Sequence, residues 1–177
     1  MPPKKAVTIS LERLDVDTAE ISIVGTSPLI VNAWSERAKE QIRQKQQTRT
    51  RTTQRELKDP EQDFEDSRYQ FADGSGDGFP TLAFQRATVE AARMFPDVSM
   101  VELKQKLYFV ADGVGTRGEP LTRLHASEPR IREDTVRIGN GIADLRYRAE
   151  YEKWSCQLTV QFMPIQIDYP SIHRGTL

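Results

Sequence analysis

Apolar and polar positions alternate most regularly toward the end of the chain. Leu145, Tyr147, Ala149 and Tyr151 alternate with Asp144, Arg146, Arg148 and Glu150; then Trp154, Cys156, Leu158, Val160 and Phe162 alternate with polar residues. A period of two marks strands with one packed and one solvated face, so the two runs predict an antiparallel hairpin. Ile165 and Ile167 are expected to continue its edge beyond Pro164. Near the start, Ala19 to Val24 (AEISIV) has the same period, with Ile21 and Ile23 on one side and Gly25 as its stop. The next apolar piece, SPLIV, is led by Pro28 and reads as an extended cover for the core.

Helical spacing takes over in the middle. Asn32 is a candidate cap for a helix with Trp34, Ala38 and Ile42 at intervals of four, a thin stripe. Asp59-Pro60 predicts the cap and first position of a short helix running to about Tyr69, followed by the turn DGSGDG. A further helix from Pro80 stacks Ala83, Ala87, Ala91 and Met94, and Ser99 with Glu102 forms a capping box for one more. LYFVAD then reads as a buried strand ended by Gly113, GVGTRGEP as a loop and LTRLH as a short strand. Strands at both ends with helices between predict an α+β domain. Its expected form is an antiparallel sheet with helices on one face, ferredoxin-like in the leading arrangement. Residues 1–177 are expected to form one domain with a polar, charged arm or insertion at about 41–78.

Charge changes this picture only locally. Lys and Arg number 25 against 26 Asp and Glu, a net charge of −1, so no global field draws the protein to polyanions. Gln41 to Arg55 nevertheless contains no acid, while Arg43, Lys45, Arg49, Arg51 and Arg55 supply cations. Asp59 to Asp77 then reverses the sign through Asp59, Glu61, Asp63, Glu65, Asp66 and Asp73. Arg130, Arg132, Arg137, Arg146 and Arg148 form a second basic group, and alternation puts Arg146 and Arg148 on the wet face. An acid-free arm can follow a single-stranded RNA or DNA backbone by displacing counterions, with Arg146 and Arg148 extending its surface. The competing reading folds Arg43–Arg55 against Asp59–Asp66 as a self-neutralising hairpin.

Motifs for other chemistry fail on their surroundings. Gly113-Val114-Gly115-Thr116-Arg117-Gly118 has dinucleotide spacing, but Glu119-Pro120 follows where a helix must open. The loop Asp73–Gly78 begins like a calcium loop, yet Phe84 stands where the closing glutamate belongs. Cys156 is the lone cysteine and reads as a small core residue, and neither His125 nor His173 has partners at relay or ligand spacing. The chain is therefore expected to be non-enzymatic, without cofactor or metal. No apolar run approaches a membrane span and no signal peptide is evident, so a cytoplasmic location is expected.

Three stretches, SPLIVNAWSERAKEQ, FPTLAFQRATVEAAR and IREDTVRIGNGIADLRYRAEYEKWSCQLTV, resemble a family of uncharacterised phage and prophage proteins. The resemblance implies a phage-encoded protein in a bacterial host cytoplasm and carries no catalytic residue across. The opening strand followed by GTSPLIV is also similar, at the level of fold, to the repeat-associated RNA-binding modules of CRISPR effectors. Two functions are thus expected: binding of single-stranded nucleic acid or a ribonucleoprotein, or docking to a host or phage protein or into a homo-oligomer.

Overall fold

The computed structural model describes residues 15–34, 36–47, 58–138 and 142–163. Its strands are β1 (Asp17–Val24), β2 (Leu29–Val31), β3 (Gly78–Pro80), β4 (Leu107–Val110), β5 (Gly113–Val114), β6 (Pro120–Arg123), β7 (His125–Ala126), β8 (Arg130–Ile138), β9 (Ile142–Tyr151) and β10 (Trp154–Phe162). Its helices are α1 (Glu36–Gln47), α2 (Pro60–Ser67), α3 (Thr81–Ala91) and α4 (Met100–Lys106). The α+β class holds. Every strand pairing is antiparallel, but the strands divide among three short sheets, ordered β1-β10-β4 with β7 beside β10, β2-β9-β8 and β3-β6-β5. These orders do not establish a ferredoxin-like arrangement.

The expected hairpin of 144–151 with 154–162 is not formed. β9 pairs with β8 and β2, whereas β10 crosses into the sheet of β1 and β4. The reason is electrostatic as well as apolar. β8 offers β9 a register in which Arg130 faces Glu150 and Asp134 faces Arg146, while Arg132 and Arg148, directly opposite each other, share the Asp134 carboxylate; opposite charges across strands stabilise a sheet as apolar pairs do. The expected division into packed and wet faces also fails on β9, because Asp144 and Glu150 are buried.

Local chemistry sets the helix starts. The Asp59 side chain accepts from the amides of Glu61 and Gln62, with Pro60 at the first turn, and Ser99 accepts from Glu102. α2 ends at Ser67, whose hydroxyl caps back to Phe64 and receives the amide of Ala149, tying α2 to β9. α1 begins at Glu36, further along than an Asn32 cap would place it, and Trp34 and Ile42 remain exposed. Those two positions of the expected stripe do not bury.

The core gathers Val31, Leu107, Leu124, Ala149, Tyr151, Cys156, Leu158 and Val160, with Phe64, Phe79, Phe84 and Trp154 packed against them. Tyr151 is 1% exposed and donates its hydroxyl to Asp77 Oδ2 at 2.8 Å. Asp77 also takes both contacts of the Arg68 Nη2 group, at 3.1 and 2.9 Å. One carboxylate thereby joins the end of α2, the approach to β3 and β9.

Candidate functional site

β1 forms one border of its sheet. It runs in unbroken register with β10, from Asp17 opposite Phe162 to Val24 opposite Ser155, and among the described residues nothing pairs with its other side. Directly opposite residues share a face, so Ala19, Ile21 and Ile23 lie with Val160, Leu158 and Cys156, while Glu20, Ser22 and Val24 lie with Thr159, Gln157 and Ser155. The strand stops at Gly25 because a Cβ there would meet the Trp154 ring at 2.1 Å; only glycine admits the indole. Gly25 N–H donates to Trp154 O at 2.9 Å. In an antiparallel ladder, pairs that exchange hydrogen bonds alternate with pairs that do not. Counting back from Gly25, the backbone groups of Ile23, Ile21 and Ala19 point to β10, and those of Val24, Ser22, Glu20 and Thr18 point outward.

This border carries few of the features that close an exposed strand. It has eight residues, no proline, no lysine and no bulge, and Ile21 and Val24 are 47% and 73% exposed. The alternation was legible in the sequence; the missing neighbour was not.

On the polar face, Glu20, Asp112, Arg123, His125, Gln157 and Thr159 line an open cleft of about 330 Å³. Sequence spacing gave no hint that these residues meet. Gln157 Nε2 donates to Glu20 Oε2 at 2.7 Å, and the Arg123 amide donates to Asp112 Oδ2 at 2.7 Å. The Arg123 guanidinium is turned to Ser75 O and Oγ and lies over the Phe71 ring, so it closes the DGSGDG turn. His125 lies on the Ser155 side of the sheet, opposite to the buried Cys156, and the two do not make a nucleophile–base pair. Burial raises the Cys156 thiol pKa, with the Asp112 charge adding to it, which keeps the sulfur protonated. Among the described residues no group of three or more His, Cys, Asp or Glu is placed to hold a metal ion.

The basic residues singled out from sequence are distributed as follows. α1 carries Arg43 and Lys45, and Arg43 pairs with Glu40 at 3.3 Å. Arg49, Arg51 and Arg55 lie outside the described residues. Arg146 and Arg148 do share a face of β9, joined there by Arg130 and Arg132 of β8. Carboxylates are set among them. Glu150 receives Arg130 at 2.8 Å and Arg132 at 3.0 Å, Asp134 receives Arg132 at 2.8 Å and Arg148 at 3.3 Å, and Asp144 receives Arg146 at 3.2 Å and Lys58 at 2.7 Å. Hydrogen bonds from Arg130, and then from Arg132, hold the Glu150 carboxyl below the usual carboxylate range against the cost of its burial. The expected pairing of the 43–55 cations with the acids of 59–66 falls largely outside the described residues; of the residues described, Arg43 meets Glu40 and Glu65 meets Arg68.

No described helix is long and apolar enough to cross a membrane. No family model, curated protein or solved structure matches the chain.

Proposed function

We propose that this protein is a non-enzymatic interaction module that takes a strand of another protein chain along the open border of β1. The observation that carries the reading is the eight-residue length and unbroken register of that strand, with its second side unpaired among the described residues. A row of outward N–H and C=O groups is a template for strand addition, in which main-chain hydrogen bonds give affinity and alternate side chains give specificity. The charge distribution points the same way. Each described arginine of the proposed nucleic-acid set, Arg43, Arg146 and Arg148, already faces a carboxylate of its own chain. In the setting the phage resemblance implies, the partner is a host or phage protein or a further copy of the chain.

Ser22→Pro tests the reading. Ser22 N–H points away from β10, so the substitution removes an outward donor while sparing the ladder within the sheet. Light scattering with identification of co-purified chains is expected to find a stoichiometric protein complex that the variant loses. A monomer with no stoichiometric protein partner, or an identical complex in the variant, overturns the proposal.

One observation favours a second reading, binding of single-stranded RNA or DNA. Arg132 and Arg146 stay 40% and 50% exposed despite their pairing, so the β8–β9 face keeps accessible guanidinium groups. Oligonucleotide binding that weakens with salt and falls on charge reversal at Arg49, Arg51, Arg55 and Arg146 would establish it.

A further inference from the structure

We infer that the chain received along β1 is a second copy of this protein, joined about a two-fold axis through Ile21. The inference rests on the reading of β1 as a docking strand and names its partner. In a two-fold antiparallel pair of identical strands, residue numbers facing one another have a constant sum. Side-chain faces match across the junction only if that sum is even, which puts a residue on the axis.

Three axes keep most of β1 paired, and they differ in what they juxtapose. An axis at Glu20 sets the two Glu20 carboxylates opposite each other, a destabilising like-charge pair. An axis at Ser22 leaves Thr18 facing residue 26, past the Gly25 stop. An axis at Ile21 sets Ile21 against Ile21, Ala19 against Ile23, Glu20 against Ser22 and Thr18 against Val24. It separates the glutamates and extends the apolar stripe across both copies. It also pairs every outward residue of β1, Thr18, Glu20, Ser22 and Val24, with an outward residue of the other copy, for about eight new backbone hydrogen bonds. The Ile21 side chains then meet as a pair without intervening hydrogen bonds, the closer of the two spacings, with Cβ atoms about 4.5–5.5 Å apart. The 47% exposure of Ile21 is the apolar surface this contact covers.

Two measurements test the inference. Sedimentation velocity over a concentration series is expected to find a dimer, which Ile21→Lys weakens at least ~10-fold because two lysines would then share the axis. Circular dichroism checks that this variant keeps its fold, and Ser22→Pro is the second variant. In parallel, Ile21→Cys is expected to form an intermolecular disulfide under mild oxidation, whereas Ser22→Cys does so far more slowly, because residue 22 faces residue 20 of the other copy. A dimer that persists in both Ile21→Lys and Ser22→Pro, or equal cross-linking of the two cysteine variants, overturns the inference. A monomer at every concentration also overturns it. The docking reading survives that last result if a different protein co-purifies stoichiometrically and is lost in Ser22→Pro, and fails with it if none does.

Discussion

Removing the Asp77 carboxylate makes an energetic prediction whose sign depends on Tyr151. In the native protein Asp77 is shared by the Tyr151 hydroxyl at 2.8 Å and the Arg68 guanidinium at 2.9 Å. Tyr151 is 1% exposed, and the Arg68 and Asp77 side chains are 19% and 11% exposed, so water cannot replace what is lost. Asp77→Ala leaves a buried hydroxyl without its acceptor, costing about 1–3 kcal/mol. It also strips Arg68 of its better partner, leaving Glu65, which is 48% exposed. Breaking a fully buried pair costs about 3–5 kcal/mol, and the remaining Glu65 contact reduces that, giving a total near 4 kcal/mol. Tyr151→Phe in the native background deletes one hydrogen bond to a charged acceptor, about 2 kcal/mol. In the Asp77→Ala background the same change removes the stranded hydroxyl and is expected to recover about 1 kcal/mol. Urea unfolding of the four proteins gives the cycle, and thermal melts check it at roughly 2–4 °C per kcal/mol for a chain of this size. Equal costs for Tyr151→Phe in both backgrounds would refute the argument that Asp77 couples α2 to β9.

Further outcomes follow from individual residues. Gly25→Ala is expected to displace the Trp154 indole and break its 2.9 Å bond to Ser27 O, costing about 1–3 kcal/mol and shifting tryptophan emission to the red. An unchanged spectrum and melting temperature contradict that. Cys156, buried and with its thiol pKa raised by burial, is expected to react with an aromatic disulfide reagent only as fast as the protein opens, while urea makes it react at once. Rapid labelling of the native protein contradicts that. Glu150 has a lowered pKa in the folded state, so its stabilisation is present at neutral pH and is lost as pH falls through that lowered value. Urea midpoints against pH should therefore decline less steeply at acid pH for Glu150→Gln than for the native protein, and parallel curves would dismiss the contribution.

The parts of the fold legible in sequence were those in which local chemistry and burial agree. β1 and β10 follow apolar alternation, and α2 and α4 begin where Asp59 and Ser99 cap them. β8 was illegible because its cross-strand partners are charges: RIREDTVRI looks solvated until Glu150, Arg148 and Arg146 stand opposite. The separation of β9 from β10 was hidden for a related reason. Both strands alternate and only Glu152 and Lys153 join them, a spacing that a hairpin satisfies equally well. Arg146 and Arg148 were correctly expected on one face, but alternation within a strand says nothing of the carboxylates that pairing brings to them. The open side of β1 was beyond reach for the same reason. Periodicity identifies a strand, whereas the number of its neighbours is a property of the whole sheet.

Amide hydrogen exchange along β1 tests the central claim most directly. In dilute protein, Thr18, Glu20, Ser22 and Val24 are predicted to exchange nearly as fast as unprotected amides, while Ala19, Ile21 and Ile23 are slow. Raising the protein concentration or adding the partner is predicted to slow the first set selectively. Protection of all seven amides in protein that sedimentation shows to be monomeric would mean that β1 is already covered by its own chain, and the docking account would be wrong.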